Sequence, residues 1–345
     1  MRAAILRQGS MVVEDLPDLV PTADQVLVQP IACGICGSDL HTVDHAHELV
    51  ETAKVAGAET FSANFDPDRD LVMGHEVSCR VLDVGADVDG VDINGSYVAM
   101  PFLETATGRH VPGYSNDYPG GYGSQMLLSP EALVPIPNGL DPLVAALTEP
   151  MAVGLHAVEE SVIEPGRIAL VAGAGPVGLA IIASLVNQGI EAIIASDFSA
   201  TRRQLALAVG ASQVIDPRSA SLADAWRAAG DGITPPVIYD AVGVPGMIDH
   251  LMQEAPERSQ ILVAGVCMPP DTIRPFLGIA KRLNLQFVLG WTPENFVRSL
   301  HDLAEGRIDG SELISGEVDL EGVPQAFADL GDPDRHVKIL VRPDL

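Results

Sequence analysis

Positive charge is scarce in this chain. Its 345 residues include 20 Lys or Arg against 47 Asp or Glu, a formal net charge of −27, and only Lys54, Lys281 and Lys338 are lysines. Such a surface repels polyanions, which argues against nucleic acid or anionic lipid as a partner. The acidity fits a salt-rich cytoplasm or a simple need for solubility. Aromatic residues are few, at 4%, so packing falls to Ala, Val, Leu and Ile. Four cysteines (Cys33, Cys36, Cys79, Cys267) cannot frame a chain of this length with disulfides; reduced thiols in a cytoplasmic protein fit better. The N-terminus lacks the apolar core of a signal peptide. The most apolar stretch, Ile168 to Ser196, is interrupted by Gly173, Gly175, Pro176, Asn187 and Gln188, which excludes a membrane span there. No internal repeat or low-complexity tract occurs.

What is present suffices for two domains with a large core, since 47% of residues are hydrophobic. The first third reads as short strands between turns. Gln25–Gln29 alternates, Glu76–Val84 is a second strand, and Gly120–Leu128 is a turn entering a third. Ala46 to Ala56 has helical spacing (Leu49, Val50, Ala53), which predicts a helix inside an insertion spanning about 42–70. Asp141-Pro142 supplies an N-cap and a first-turn proline, predicting a helix that carries Glu149 at its end. From about residue 152 strand and helix alternate: strands at Ile168–Ala172, Glu191–Ser196, Gln213–Ile215, up to Tyr239-Asp240, Gln260–Ala264 and Leu285–Gly290, with helices at Leu179–Gln188 and Arg202–Val209. That rhythm signals a doubly wound parallel sheet.

The glycine run Gly173-Ala-Gly175-Pro176-Val177-Gly178 follows the first of these strands and opens a helix. In that setting the glycines permit a tight turn and close approach of a pyrophosphate, whose charge sits at the helix N-terminus. Asp197, ending the second strand, suits both adenosine ribose hydroxyls and repels a 2′-phosphate, which favours NAD. Arg202 and Arg203 just beyond it keep NADP as the lesser reading. Val242 and Val266, each just past a later strand, are expected beside the cofactor.

Upstream stand Cys36, His75, Glu76 and Glu149, soft and hard donors suited to Zn²⁺. Cys33-Gly-Ile-Cys36 has the spacing of a structural-zinc or redox pair. No second Cys or His pair follows at usable spacing, so only Cys36 is taken as a ligand. Cys79 and Cys267 read as small buried hydrophobes.

Taken together, Gly34-Ile-Cys36-Gly-Ser38-Asp39-x-His41, Gly74-His75-Glu76, Gly120-Gly-Tyr122, Glu149-Pro150 and the glycine turn resemble the zinc-dependent medium-chain dehydrogenases, in particular their sorbitol and threonine dehydrogenase branch. The resemblance spans nearly the whole chain in family order. It implies a Rossmann domain at about 152–290, beside a mostly β, GroES-like catalytic domain at 1–151 to which 291–345 returns. It implies one catalytic zinc, with Cys36 and His75 as ligands and Glu76 and Glu149 competing for the remaining protein position. Asp39 would orient the zinc histidine. Ser38 and His41 would relay the alcohol proton to solvent while hydride passes to the nicotinamide. The stretch Pro101–Pro119, where many relatives hold a structural zinc with four cysteines, has none, so no second zinc is expected.

The insertion is expected to cover the substrate cleft, with His45, His47 and Glu48 on a solvated face. Trp291 and Phe102 suit either pocket lining or core. Leu285–Gly290 is a candidate edge strand for a homodimer or homotetramer. The implied activity is hydride transfer between NAD and a secondary alcohol or polyol. The competing readings are a zinc-free quinone or enoyl reductase on the same scaffold, and a non-catalytic nucleotide-binding protein.

Overall fold

A computed structural model describes residues 1–57 and 65–345 of the chain. Two large sheets organise it. The first has the strand order Ile314–Val318, Lys338–Val341, Val26–Gly34, Glu76–Val84, Ser96–Ala99 and Leu133–Pro135, with Met126–Leu128 added to the start of Val26–Gly34. Val26–Gly34 pairs antiparallel with both Glu76–Val84 and Lys338–Val341. That arrangement brings residues 76–84 and 338–341, far apart in sequence, onto one strand.

The second sheet is all parallel, in the order Gln213–Ile215, Ala192–Ser196, Ile168–Ala172, Val237–Asp240, Gln260–Val263 and Asn284–Phe287. Numbered from Ile168–Ala172, this is the doubly wound order 3-2-1-4-5-6. Apart from Ile168 its central strands are buried, because helices cover both faces. The order reverses between Ile168–Ala172 and Val237–Asp240, and the crevice beyond their carboxyl ends is where such sheets bind ligands.

Helix Pro176–Asn187 starts on the glycine turn with Gly175 as N-cap and Pro176 in its first turn. It is apolar all round because it lies between the sheet and helix Thr148–Glu159. The approach of those two helices is close enough that a side chain on Gly154 would strike the backbone of Ala180.

Two helices depart from expectation. Asp141 does cap a helix, its side chain accepting from the Leu143 amide at 2.9 Å, but that helix ends at Ala145. A new one, Thr148–Glu159, carries Glu149 in its first turn. One continuous helix would put Pro150 in its interior, against the carbonyl of Ala146; the break leaves the proline in a first turn, where its missing N–H costs nothing. The helix expected at Ala46–Ala56 runs instead from Gly37 to Ala56, with a kink at His45 (φ −135°, ψ 29°). It therefore begins at the candidate site. The insertion around 42–70 falls partly on residues 58–64, which lie outside the described residues.

Candidate metal and cofactor site

Cys36 is the residue before the first turn of helix Gly37–Ala56, at the end of strand Val26–Gly34. His75 and Glu76 enter the antiparallel partner strand, where Glu76 stands opposite Gly34. Any side chain at Gly34 would collide with the Glu76 carboxylate. The pairing puts one ligand atom each of Cys36, His75 and Glu76 within 4.8 Å of one another, the only such metal-capable group among the described residues. A thiolate, an imidazole and a carboxylate converging in this way fit Zn²⁺ in donor type.

Asp39 sits one turn into the helix and is fully buried. Its Oδ2 accepts from the Cys36 amide at 3.0 Å and from the Tyr122 hydroxyl at 2.7 Å. Its Oδ1 faces His75 Nδ1 at 3.5 Å. Burial pushes this carboxyl up, but His75, Tyr122 and the Cys36 amide outweigh it and hold the group below the usual carboxylate range. The carboxylate therefore faces the His75 ring at ion-pair distance, with neither Asp39 Oδ1 nor His75 Nδ1 hydrogen-bonded among the described residues.

The two glutamates are treated differently. Glu76 is fully buried, and both its oxygens accept from Lys338 Nζ at 2.7 Å. Lys338 is buried too and also donates to the Ile35 carbonyl at 3.0 Å. Burial disfavours the ammonium, yet Glu76 first and Cys36 next raise its pKa above the ordinary lysine value. Glu149 is outside the three-residue group. Its Oε1 accepts from Trp291 Nε1 at 2.7 Å. Burial raises the Glu149 carboxyl, opposed by His75.

Ser38 and His41 occupy one face of the same helix, three residues apart. Ser38 Oγ accepts from the Tyr114 hydroxyl at 2.8 Å, and the Tyr114 ring lies 5.4 Å from that of His75. His41 is half-buried; burial first and His45 second hold its pKa below the ordinary imidazole value. His45 pairs with Glu48 at 2.5 Å and His47 with Asp68 at 3.4 Å, and none of these joins the metal-capable group among the described residues. Cys33 is buried, its thiol pushed up by desolvation, and all four cysteines are free.

At the other site the glycine turn closes against its surroundings: a side chain on Gly178 would collide with the Gly173 carbonyl oxygen. Asp197 accepts from the Ala174 amide and the Ser199 amide, each at 2.8 Å, which ties the end of the second strand to the glycine turn. Arg203 is committed to the Asp197 and Phe198 carbonyls at 2.7 and 2.9 Å. Arg202 instead lies beside Gly175, its Nη1 3.6 Å from where a Cβ would stand, and its buried Nε has no hydrogen-bond partner among the described residues. The Val242 amide donates to Asp240 at 2.9 Å, and the Val266 backbone packs against Gly243, so both border the crevice.

Tyr114 and Lys338 are site residues that the sequence does not single out, Tyr122 belongs to the Gly120-Gly-Tyr122 motif without an expected role, and Trp291 suits either pocket or core. For Tyr122 a signal existed, the Gly-Gly-Tyr turn. For Lys338 it was its rarity, one lysine of three, inside the apolar run Val337–Val341. Tyr114 offered none. Phe102 packs half-buried against the core, and its ring also carries the Arg109 guanidinium 4.7 Å from its centroid.

Comparison with known proteins gives a consistent picture. Residues 22–138 match the alcohol dehydrogenase GroES-like domain and residues 176–305 the zinc-binding dehydrogenase family. Over 335 residues the chain is 29% identical to the (R,R)-butanediol dehydrogenase of Bacillus subtilis (strain 168), covering 90% of each protein. The crystal structure of 2R,3R-butanediol dehydrogenase from Bacillus subtilis superposes with a TM-score of 0.81 at 26% identity, over 99% of both chains. A candidate zinc-binding dehydrogenase from Sinorhizobium meliloti 1021 bound to NADP gives a TM-score of 0.82 at 24% identity, also over 99% of both, and shares the fold.

Proposed function

The chain belongs to the zinc-dependent medium-chain alcohol dehydrogenase family, and from that premise we propose that it is an NAD-dependent dehydrogenase of a secondary alcohol in a diol or polyol. The observation that carries this is the convergence of Cys36, His75 and Glu76 beside the Ser38–Tyr114 hydrogen bond. Cys36 and His75 hold the ion, and Glu76 and Glu149 are the alternatives for the third protein position. A bound zinc supplies Lewis acidity that polarises the substrate oxygen.

The chain's own groups do the rest. Asp39 faces the His75 ring, and Lys338 balances the charge of Glu76 in a place water does not reach. Ser38 accepts the alcohol proton, and His41, kept neutral by its lowered pKa, passes it to solvent. The turn Gly173–Gly178 would hold the pyrophosphate of a nicotinamide cofactor, and Val242 and Val266 would border its ring end. Arg202 supplies positive charge beside that turn, and Asp197 selects NAD by repelling a 2′-phosphate. No helix among the described residues is long and apolar enough to cross a membrane.

We also propose a homodimer formed along the sheet edge Asn284–Phe287. Phe276, Ile279, Phe287 and Leu289 are exposed there, at 76%, 71%, 69% and 58%.

The test is metal analysis of the purified chain with kcat/KM for a panel of diols and polyols, measured with NAD and with NADP. One zinc per chain and NAD reduction by a vicinal diol or polyol are expected, with Asp197→Ser moving preference towards NADP. A zinc-loaded chain that reduces neither cofactor across the panel overturns the proposal.

A further inference from the structure

Trp291 stands at a junction whose geometry is set from several directions. It follows the edge strand of the parallel sheet and precedes helix Pro293–Ala304, whose N-cap Thr292 shares a reciprocal capping box with Asn295. That helix is held to helix Thr148–Glu159 by three contacts. Asn295 Nδ2 donates to Glu159 at 2.6 Å, Arg298 pairs with Glu159 at 2.5 Å, and the Asn295 Oδ1 lies 3.1 Å from His156 Nδ1. The indole also packs against Phe296, with ring centroids 4.9 Å apart. Its N–H therefore meets Glu149, in the first turn of the opposite helix, in one fixed direction at 2.7 Å.

The two carboxylates near Cys36 and His75 are left in different states. Glu76 has both oxygens taken by Lys338. Glu149 has Oε1 taken and no bond to Oε2 among the described residues. An indole N–H is a neutral donor that cannot accept or ligate, so it orients a carboxylate without cancelling its charge. A half-buried carboxylate held in that way keeps its charge available to a cation.

Resting on the metal site proposed above, we infer that Trp291 is a positioning residue: its N–H holds Glu149 through Oε1 and leaves Oε2 as the oxygen that a zinc held by Cys36 and His75 would draw on. The indole spans two regions: it is delivered by the end of the nucleotide-binding sheet and acts on the metal-binding cluster.

The chain holds two tryptophans, and the other, Trp226, is buried in the nucleotide half with its indole on the Thr234 carbonyl at 3.2 Å. In a Trp226→Phe background, then, fluorescence reports on position 291 alone. Zinc titrated into the chelator-treated full chain is expected to shift Trp291 emission, and Glu149→Gln in the same background is expected to abolish that shift. Trp291→Phe keeps the ring against Phe296 and removes only the donor. Chelator competition should show zinc affinity reduced about ten- to a hundredfold, the usual cost of losing a ligand's hydrogen-bond partner, with the melting temperature of the metal-free chain unchanged.

A wild-type chain that binds no zinc removes the metal site itself, and this inference with it. A wild-type chain that binds zinc, with Trp291→Phe binding equally tightly and Trp291 emission indifferent to the ion, overturns the role of Trp291 alone. Should Trp291→Phe not fold, the emission shift and its dependence on Glu149 decide the matter without it.

Discussion

The metal-binding half and the nucleotide-binding half solve their problems with different parts of the polypeptide. Around the metal group the working atoms are side chains: a thiol at residue 36, an imidazole at 75, carboxylates at 39, 76 and 149, an ammonium at 338. Around the glycine turn they are mainly backbone amides within a few residues of each other, with one carboxylate 23 residues from the amide it accepts. Side-chain chemistry has to be gathered by the sheet, and every buried charge then needs a partner from elsewhere in the chain. Backbone chemistry needs only a local turn and a helix start.

The sharpest way to break the contrast is a pair of substitutions. Cys36→Ser should abolish zinc content and lower kcat on the order of a thousandfold, the loss of several kcal/mol of stabilisation by a Lewis acid. Isothermal titration should find NAD binding intact. Gly178→Ala should do the reverse, forcing the turn away from the Gly173 carbonyl. Overpacking of about 1–3 kcal/mol corresponds to NAD binding weakened roughly ten- to a hundredfold, with zinc content unchanged. If either variant loses both ligands together, the halves are not separable as described.

Lys338→Met addresses the charge partner that reaches the metal half from the far end of the sequence. Stranding Glu76 should cost about 3–5 kcal/mol of stability, read as a lower denaturation midpoint. An unchanged midpoint would mean that zinc or water already balances Glu76.

Tyr114→Phe removes one hydroxyl from Ser38 Oγ. A kcat lower by about two- to tenfold, equivalent to one hydrogen bond, is expected with zinc content and melting temperature constant. A falling melting temperature with kcat preserved would make Tyr114 a packing residue only.

The smallest effect concerns pH. His41 accepts a proton only when neutral, so activity falls as pH drops through its pKa, which burial and His45 hold below the ordinary imidazole value of about 6.5. His45→Ala should move that acid limb upwards. A limb that does not move, or that moves down, removes His45 as an influence on the relay.

Most of the nucleotide half was legible from the chain. Strands Ile168–Ala172 and Gln213–Ile215 lie where periodicity placed them, and the others differ by a residue or a few at their ends. Apolar runs bounded by turn residues carry that information locally. Parts of the metal half were legible as well: Cys36, His75 and Glu76 do converge, and strand Glu76–Val84 has its expected limits. The Asp141 helix ends before Glu149 because Pro150 imposes a stop that the capping signal alone does not show. The Gly37–Ala56 helix starts nine residues before its periodic stretch, a start hidden because its opening residues, including Ser38, Asp39 and His41, resemble a polar loop by composition.

By itself the sequence determined the parallel sheet, the glycine turn at its first helix and the set of donors available to a metal, because each is written in residue type and spacing along the chain. Which partner each donor has was decided only in three dimensions. Residues 338 and 76 meet through their separate pairings with strand Val26–Gly34, and residues 291 and 149 through the packing of two helices. Separations of that length leave no periodic trace, since the pairings depend on sheet register and helix packing set by the whole core.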